Sequence, residues 1–449
     1  MKSTDALLAR WEETLARKRD APAIFATTGE VSRTFRGIEE HAQAIETKMR
    51  KVAPGNVYAI EIGNHEDWPS IFLTCLRKEL VVLPLDRAIR QEERDRALAI
   101  CSTSAVRDWH GRRPTLFKLS SGTTAAPRAI PFRSEQLLAD CENICATMGI
   151  SDVDLNFGVI PISHSYGFSN LLTPLLARGV PMVLSRDQTP RAVLDGLART
   201  GATVFPGMPI FYQAFCEIEN LPALPKLRLC ISAGAPLSAG IAKKFYEKFN
   251  RPIHSFYGSS ECGGICYDRD GTVFEDGFVG APMNNVDLEV SDPDAESSQV
   301  RVRSAAVADG YFPDADAQKL SGGFFVPDDL LARHAAGFKI VGRISDVINV
   351  AGKKLHPAEV EAQLARFPGV RQAIVFGRKS SRRNEEVVAC VVANSDVRET
   401  DLLEFCRKHL SAWQAPKRIF MLDEIPVNER GKISRRELAK RFSDQAEMS

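Results

Sequence analysis

The chain has 449 residues, of which 44% are hydrophobic and 26% are charged, and its formal net charge at pH 7 is +1. These fractions are typical of a soluble globular protein of about two or three domains, and the near-zero net charge gives no electrostatic case for binding nucleic acid or an anionic membrane. The 10 cysteines lack metal-ligand spacing, which favours free thiols in the reducing cytoplasm over a disulfide framework or a zinc site.

The N-terminus predicts an amphipathic helix rather than a targeting segment. Leu7, Leu8, Trp11 and Leu15 recur at helical spacing. The first residues lack the apolar core of a signal peptide, no apolar run is long enough to span a bilayer, and the final "AEMS" carries no lipidation signal. We therefore expect a cytoplasmic protein without a membrane span.

Short apolar runs alternate with helical patterns through the first half of the chain. Strands are predicted for "VYAIEIG", "LVVLPL", "PMVLS", "TVFPG" and "LRLCISAG", and a helix for "WPSIFLTCLRKE". Alternation of this kind indicates an α/β fold with a largely parallel sheet. Ligands of such folds bind at the loops that follow the strands.

The second half becomes richer in strands and then restarts as a smaller domain. Between Gly271 and Val302 the segments "GFVGAP", "VDLEVS" and "QVRVRS" predict a β subdomain. The boundary is predicted near Arg343, which gives domains of residues 1–343 and 344–449. The second domain, of about a hundred residues, is predicted to be α+β: Pro357 opens a helix, "QAIVFG" and "EVVACVVA" are strands, and Asp401–Trp413 is a helix.

The segment Leu119–Pro131, "LSSGTTAAPRAIP", is rich in hydroxyl groups and carries a basic residue. It lacks the lysine of a Walker P-loop. The segment "RGKIS" near the C-terminus has that lysine, but Ile433 follows it where a hydroxyl residue is required, and no glycine stands at the required upstream position. The segment "GSSEC" is not a nucleophile elbow, because Cys262 replaces the last glycine. A loop of amide and hydroxyl groups still suits a polyphosphate, so the residues alone leave a phosphate loop and an ordinary turn both open.

Further segments in chain order resemble one family. They are "PISHSYG", "SAGAPL", "FYGSSE", "GGFFVPDDL", "GRISDVINVAGKKLHPAEVE" and "PVNERGKISRREL". Together with the hydroxyl-rich loop they resemble the adenylate-forming superfamily of acyl- and aryl-CoA synthetases, luciferases and peptide-synthetase adenylation domains. The resemblance implies a large N-terminal domain of stacked parallel-type sheets with helices and a β subdomain, followed by a small mobile α+β C-terminal domain.

The resemblance also implies an ATP site. Asp329 is a suitable acceptor for both ribose hydroxyls and is preferred over its neighbour Asp328 by alignment, while Arg343 offers a planar fork for phosphate or ribose. Tyr257 is expected to pack on the adenine. The implied ATP-binding residues are Ser120, Ser121, Gly122, Thr123, Thr124, Arg128, Gly234, Ala235, Pro236, Tyr257, Gly258, Ser259, Ser260, Asp329 and Arg343.

Three residues are implied in catalysis: Lys432, His164 and Glu261. Lys432 would stabilise the negative charge that gathers where the substrate carboxylate meets the α-phosphate. Glu261 supplies a hard carboxylate suited to Mg²⁺ that accompanies ATP. His164 occupies the position that gates the acyl pocket in this family, although a lone histidine is often structural.

Three further groups follow from the resemblance. The acyl pocket is implied at His164, Tyr166, Gly167 and Gly263. The loop of Gly352, Lys353 and Lys354 is implied in the thiol step, and Ser345 holds the hinge position. Departures from the family pattern include Ala125 for glycine and Arg128 for lysine in the phosphate loop, and Ser345 where the family commonly has Asp or Lys.

The implied reaction activates a small-molecule carboxylic acid with ATP and Mg²⁺ to an acyl-adenylate, and then transfers the acyl group to the thiol of coenzyme A. Two alternatives stay open. One is an adenylating enzyme that loads the phosphopantetheine of an acyl carrier protein, and the other is a weakly catalytic homologue that binds acyl groups or nucleotides. The expected partners are therefore the acid and CoA or a carrier protein, with no nucleic acid and an oligomeric state that the sequence does not indicate.

Overall fold

The computed structural model describes residues 5–49, 52–105, 113–119, 128–380, 384–426 and 435–442. Its α-helices are α1 Ala6–Lys18, α2 Phe35–Lys48, α3 Trp68–Arg77, α4 Gln91–Ala105, α5 Ser134–Met148, α6 Ser165–Gly167, α7 Thr173–Arg178, α8 Pro190–Thr200, α9 Pro209–Glu217, α10 Ala239–Phe249, α11 Pro357–Leu364, α12 Glu399–His409 and α13 Arg435–Arg441. A π-helical turn covers Phe168–Leu172, and a 3₁₀ turn covers Ile344–Asp346.

The strands alternate with these helices in the first half of the chain and cluster in the second. They are β1 Pro22–Ala26, β2 Val31–Thr34, β3 Val57–Ile60, β4 Val81–Pro84, β5 Leu116–Leu119, β6 Ala129–Phe132, β7 Asn156–Gly158, β8 Met182–Leu184, β9 Val204–Gly207, β10 Leu229–Ser232, β11 Ile253–Ser259, β12 Gly263–Tyr267, β13 Phe278–Pro282, β14 Asp287–Val290, β15 Val300–Arg303, β16 Leu320–Ser321, β17 Phe324–Phe325, β18 Asp329–His334, β19 Gly337–Arg343, β20 Ile348–Val350, β21 Lys353–Leu355, β22 Val370–Ser380, β23 Asn384–Ala393 and β24 Arg418–Met421.

The chain divides into two compact units. The first contains residues 1–293, 300–327 and 333–339, and the second contains 294–299, 328–332 and the chain from Ile340 onward. The predicted fold class, an α/β fold with a smaller α+β part at the C-terminal end, is confirmed. Among the described residues, no helix combines the length and the apolar character needed to cross a membrane, and the cysteines of this part are all buried without disulfides.

The larger sheet of the first unit is parallel in its middle. Its order is β13-β12-β11-β10-β9-β7-β8-β1-β2. Strands β11, β10, β9, β7, β8 and β1 pair in parallel, whereas β12 and β13 continue the sheet antiparallel. Because β10 and β11 run in the same direction, the segments that follow them lie at one edge of the sheet.

Two smaller sheets and an aromatic core complete the first unit. One sheet has the order β3-β4-β5-β6, and the other has the order β14-β15-β17-β16. Of the segments predicted as a β subdomain, "VDLEVS" and "QVRVRS" contain β14 and β15 of this sheet, whereas "GFVGAP" contains β13 of the large sheet. Beside the large sheet, the rings of Phe211, Tyr212 and Phe215 all lie within 6.1 Å of the buried Phe205 ring, centroid to centroid. Phe211 and Tyr212 pack edge to face on Phe205, and Phe215 is tilted against it. Aromatic rings packed in this way bury much apolar area and fix the sheet against its helices.

The second unit has its own sheet and core. Its sheet has the order β21-β20-β23-β22, and β24 pairs in parallel with β23. Pro357 stands at the first position of α11, as predicted, and Val360 and Leu364 of that helix are fully buried. The helix predicted at 401–413 is present as α12, Glu399–His409, but it ends four residues earlier than predicted, because the backbone becomes extended at Leu410 (φ −124°, ψ 153°).

Candidate active site

Glu261 stands in the tight connection between β11 and β12, and two hydroxyl groups fix its carboxylate. The hydroxyl of Tyr311 donates to Oε1 of Glu261 at 2.9 Å, and the hydroxyl of Ser259 donates to Oε2. The backbone amide of Ala308 donates to the carbonyl of Glu261 at 2.9 Å. Both carboxylate oxygens are therefore oriented before any ligand arrives.

Tyr311 links this carboxylate to the end of the hydroxyl-rich loop. Its side chain is 1% exposed, and the guanidinium carbon of Arg128 lies 3.8 Å from its ring centroid. Two backbone hydrogen bonds join Ala129 and Phe312, at 2.7 and 3.0 Å. Tyr311 thus contacts both Glu261 and Arg128. The family resemblance implies that Arg128 binds ATP. The predicted phosphate-loop residues Ser120, Ser121, Gly122, Thr123 and Thr124 lie outside the described residues.

Tyr311 is a site residue that sequence reasoning missed. It lies in "VADGYF", a segment in which the sequence predicts no binding or catalytic residue. One signal was available, because a buried tyrosine usually finds a hydrogen-bond partner for its hydroxyl. Nothing in the local pattern named Glu261 as that partner.

Two buried residues of opposite charge, Lys118 and Asp140, lie in the same region as Glu261 and were not predicted from the sequence. Lys118, 6% exposed, lies in strand β5, and its Nζ is 4.4 Å from the ring centroid of Phe132. Burial lowers the pKa of Lys118, while the negative charges of Asp140 and Glu261 act in the opposite direction. Asp140, 4% exposed, accepts hydrogen bonds from Ser169 Oγ at 2.6 Å and from the Gly264 amide at 3.0 Å.

The predicted gate, His164, lies at the surface of the first unit. Its Nε2 is 3.4 Å from Oδ2 of Asp86, and the side chains are 50% and 44% exposed. The hydrogen bond from His164 lowers the pKa of Asp86. This arrangement gives His164 a defined partner at an exposed position.

The segment after His164 is held close to the backbone before it. A Cβ on Gly167 would stand 2.1 Å from the carbonyl oxygen of Pro161, so this position tolerates glycine alone. The hydroxyl of the neighbouring Tyr166 donates to the carbonyls of Gly207 and Ile231, at 3.2 and 3.4 Å. Burial raises the pKa of Tyr166 well above its ordinary value, so Tyr166 acts as a neutral anchor.

The predicted nucleotide segments follow the adjacent strands β10 and β11. Gly234, Ala235 and Pro236 are exposed just beyond β10, and Gly234 has a φ of +85°. A Cβ on Gly258 would stand 2.8 Å from the carbonyl oxygen of Gly263. Tyr257, expected to pack on adenine, is itself 8% exposed.

Two further contacts tie the acyl-pocket segments to this edge. The hydroxyls of Ser165 and Ser260 lie 2.9 Å apart. Gly263 has a φ of +73°, and a Cβ there would stand 2.0 Å from Oδ1 of Asp140. The predicted pocket residues and the residues beside Glu261 are therefore neighbours within the first unit.

In the second unit the structure brings Asp329 and Arg343 together. Nε of Arg343 donates to Oδ1 of Asp329 at 2.9 Å, and their side chains are 56% and 14% exposed. The carbonyl of Asp328 accepts a hydrogen bond from the Ile344 amide at 2.8 Å, and its side chain is exposed. Arg343 therefore orients the carboxylate of Asp329.

The remaining predicted residues of this unit lie on its surface. Gly352 has a φ of +89°, and its amide donates to Oδ1 of Asn349 at 2.8 Å. Lys353 and Lys354 are exposed, and Nζ of Lys353 is 5.2 Å from the ring centroid of Trp413. Ser345 lies in the 3₁₀ turn. Lys432 lies outside the described residues.

The Glu261 carboxylate is suited to a metal ion that arrives with a nucleotide. Within the described ranges, no group of three or more His, Cys, Asp or Glu side chains forms a metal site. A lone, oriented carboxylate still fits Mg²⁺, which keeps several waters and is commonly held by one or two carboxylates plus substrate phosphates. The geometry therefore suits chemistry at a phosphate group.

Two family models match most of the chain between them. Residues 105–312 match the family model of AMP-binding enzymes, and residues 359–432 match that of the AMP-binding enzyme C-terminal domain. A probable CoA ligase, CCL9, of Humulus lupulus is 29% identical over 74% of this chain, which spans 66% of that protein. An oxalate–CoA ligase of Arabidopsis thaliana is 24% identical over 96% of this chain and 98% of its own length.

A carrier-protein ligase and a solved structure are also similar. The 3,4-dihydroxybenzoate–[aryl-carrier protein] ligase of Bacillus anthracis is 24% identical over 87% of this chain and 92% of its own length. The crystal structure of ATP-bound MatB from Rhodopseudomonas palustris has a TM-score of 0.84 at 21% identity, over 98% of this chain and 99% of that chain. This last likeness shows the shared fold.

Proposed function

The chain belongs to the adenylate-forming superfamily of AMP-binding enzymes, and we propose that its Glu261 site activates a carboxylic acid with Mg·ATP for transfer to the thiol of coenzyme A. Its activity class is that of an AMP-forming acid–thiol ligase. The observation that carries the proposal is the Glu261 carboxylate, oriented by the hydroxyls of Tyr311 and Ser259 and joined through Tyr311 to Arg128.

The first half-reaction forms an acyl-adenylate. A carboxylate oxygen of the substrate attacks the α-phosphorus of ATP, the bond to the β-phosphate oxygen breaks, and pyrophosphate leaves. No general base is required, because a carboxylic acid is ionised at neutral pH. We assign Lys432 to the oxygens of the attacking carboxylate and the α-phosphate, where charge accumulates in the transition state.

Other residues bind and orient the nucleotide in this proposal. Arg128 and the hydroxyl-rich loop hold the β- and γ-phosphates, which leave as pyrophosphate. Asp329 accepts hydrogen bonds from the ribose hydroxyls, and Arg343 orients its carboxylate. Glu261 would hold Mg²⁺, which would supply neutralisation of the phosphate charge. His164 gates the entry of the acid.

The second half-reaction transfers the acyl group. The sulfur of the thiol attacks the carbonyl carbon, the bond from carbon to the AMP oxygen breaks, and the thiol proton passes to solvent. We assign this step to the loop of Gly352, Lys353 and Lys354. In this proposal a rotation at Ser345 withdraws Lys432 from the reacting groups after the first step and brings this loop to them for the second. Exchange of catalytic groups by domain motion is a common enzymatic device.

A second candidate function differs only in the thiol. The similarity to an aryl-carrier protein ligase over 87% of this chain favours phosphopantetheine on a carrier protein as the alternative acceptor. A weakly catalytic homologue is less well supported, because Glu261, Asp329, Arg343 and Lys432 are all retained.

The decisive experiment measures pyrophosphate release with ATP, Mg²⁺ and a panel of aromatic, short-chain, long-chain and dicarboxylic acids. Each acid is tested alone, with CoA, and with a phosphopantetheinylated carrier protein. We expect one class of acid to release pyrophosphate and one thiol to accelerate AMP release. Absence of turnover across the whole panel would falsify the ligase function, whereas acceleration by the carrier protein alone would select the alternative.

A further inference from the structure

The guanidinium group of Arg435, the first residue of α13, makes four hydrogen bonds. Its Nη1 lies 2.8 Å from Oδ2 of Asp346, and its Nη2 lies 2.8 and 2.9 Å from the two carboxylate oxygens of Glu361. Its Nε donates to the carbonyl of Val375 at 3.0 Å. One guanidinium thus joins the 3₁₀ turn, helix α11 and strand β22.

The partners of Arg435 are themselves fixed. Oε1 of Glu361 also accepts a hydrogen bond from the amide of Val375 at 2.7 Å. The side chains of Arg435, Asp346 and Glu361 are 27%, 23% and 17% exposed. Charge-assisted contacts of a planar guanidinium with carboxylates are stronger and more directional than those of a lysine, particularly away from bulk water.

The carboxylate of Asp346 is shared with the predicted hinge. The hydroxyl of Ser345 lies 3.4 Å from Oδ1 of Asp346, while Oδ2 of the same carboxylate receives Arg435. Asp346 directly follows Ser345 and ends the 3₁₀ turn. Arg435 therefore binds the residue that directly follows the predicted hinge, Ser345.

Lys432 precedes Arg435 by three residues. Three residues of extended chain reach at most about 10 Å. Fixing Arg435 therefore fixes one end of the segment that carries the lysine, and limits how far Lys432 can lie from the hinge turn.

We propose that Arg435, Asp346 and Glu361 form a clamp that couples the Lys432 segment to the hinge turn, which makes Arg435 a positioning residue for the adenylation half-reaction. The proposal rests on the function assigned to Lys432 above. The guanidinium of Arg435 is paired with the carboxylates of Asp346 and Glu361. Arg435 therefore affects catalysis through the position of Lys432 and not by contact with the substrate.

Two conservative variants test the clamp. Arg435→Lys keeps the charge but loses the forked contacts with Glu361, and Asp346→Asn keeps the shape but loses the ion pair. We expect each to slow pyrophosphate release at saturating substrates by about tenfold or more, since small displacements of a catalytic group carry such costs. Attack of the thiol on preformed acyl-adenylate should change less than about twofold, a split that general loss of structure would not produce.

The matched control is the pair Arg398 and Asp401, which also joins an arginine to a carboxylate in the second unit, at 3.0 Å. Arg398→Lys and Asp401→Asn should leave both half-reactions unchanged. Equal losses in the two half-reactions of a clamp variant, or no loss, would overturn the proposal. The Arg435→Lys/Asp346→Asn double variant should be no slower than the slower single variant, whereas multiplied effects would show independent roles.

Hydrogen–deuterium exchange provides a readout that does not depend on activity. Peptides covering residues 427–434 should exchange faster in Arg435→Lys and Asp346→Asn than in the wild type, and should be unchanged in the two control variants. Unchanged exchange in both clamp variants would overturn the clamp. If the wild type releases no pyrophosphate with any acid, the proposed function fails, while this exchange experiment still decides whether the clamp exists.

Discussion

The Tyr311 hydroxyl donates to Oε1 of Glu261 at 2.9 Å, across 50 residues of sequence. The contact aligns a carboxylate proposed to hold Mg²⁺ and places the ring of Tyr311 under Arg128. A carboxylate that is already oriented loses less freedom on binding a ligand than a free one does. The first prediction concerns this hydroxyl.

Tyr311→Phe removes the hydroxyl and keeps the ring on which Arg128 rests. A hydrogen bond to a charged group contributes about 1.5–3 kcal/mol, and part of that contribution orients Glu261. We expect the Mg²⁺ concentration for half-maximal binding of a fluorescent ATP analogue to rise by about threefold to tenfold. Fluorescence titration with Mg²⁺ at fixed nucleotide measures the change.

The control for Tyr311 is Tyr212→Phe. That hydroxyl is also buried, but it donates to the backbone carbonyl of Ile231 at 2.8 Å. Loss of its hydrogen bond should lower the melting temperature without altering the Mg²⁺ requirement. An equal Mg²⁺ requirement in wild type and Tyr311→Phe would contradict the orienting role.

The second prediction separates two neighbouring acids. Asp329→Asn removes the charge from a carboxylate that Arg343 orients at 2.9 Å, and we expect the KM for ATP to rise by about tenfold because charge-assisted hydrogen bonds to the ribose are lost. Asp328→Asn alters an exposed side chain and keeps the backbone carbonyl that binds the Ile344 amide. Steady-state kinetics should show little change for Asp328→Asn, and the reverse ranking would move the ribose role to Asp328.

The sequence predicts features that depend on local pattern. The apolar run "LRLCISAG" contains β10, Leu229–Ser232. Of the stripe predicted on α1, Leu7 and Trp11 are buried, and Leu8 and Leu15 are half-buried. Periodicity carries this information because burial repeats along one element. The end of α12 was missed, since the helical pattern up to Trp413 does not record the extended backbone at Leu410.

Contacts between distant segments were not predictable from that pattern. Tyr311 meets Glu261, and Asp140 meets the Gly264 amide, across gaps of 50 and 124 residues. Which tyrosine completes a carboxylate site depends on how the strands assemble. The family resemblance supplied Glu261, Asp329 and Arg343 as site residues, but it did not indicate which other side chains orient them.

The third prediction concerns the close approach at Gly167. A Cβ there would stand 2.1 Å from the Pro161 carbonyl oxygen, so Gly167→Ala must displace backbone next to His164. We expect a loss of about 1–3 kcal/mol in the free energy of unfolding, typical of overpacking, with a raised KM for the acid. Denaturant unfolding and initial-rate kinetics measure the two effects.

Gly240→Ala is the control for Gly167. Gly240 lies in α10, and a Cβ there would meet nothing within 4 Å. Alanine should therefore leave stability unchanged or raise it by up to about 1 kcal/mol, because alanine is the better helix former. A wild-type KM for the acid in Gly167→Ala would separate this segment from the acyl pocket.

The last prediction tests the division of labour assigned to Lys432. Lys432→Ala removes the positive charge from the adenylation step, and we expect pyrophosphate release to fall by about a hundredfold or more, the loss typical of removing one group that stabilises charge in a transition state. Thiol attack on synthetic acyl-adenylate should be largely spared, because that step is assigned to the Gly352–Lys354 loop. Lys440→Ala, on the exposed side of α13, is the matched control and should retain both rates. If Lys432→Ala slows both half-reactions equally, the two steps share one arrangement of the enzyme, and alternation at Ser345 is wrong.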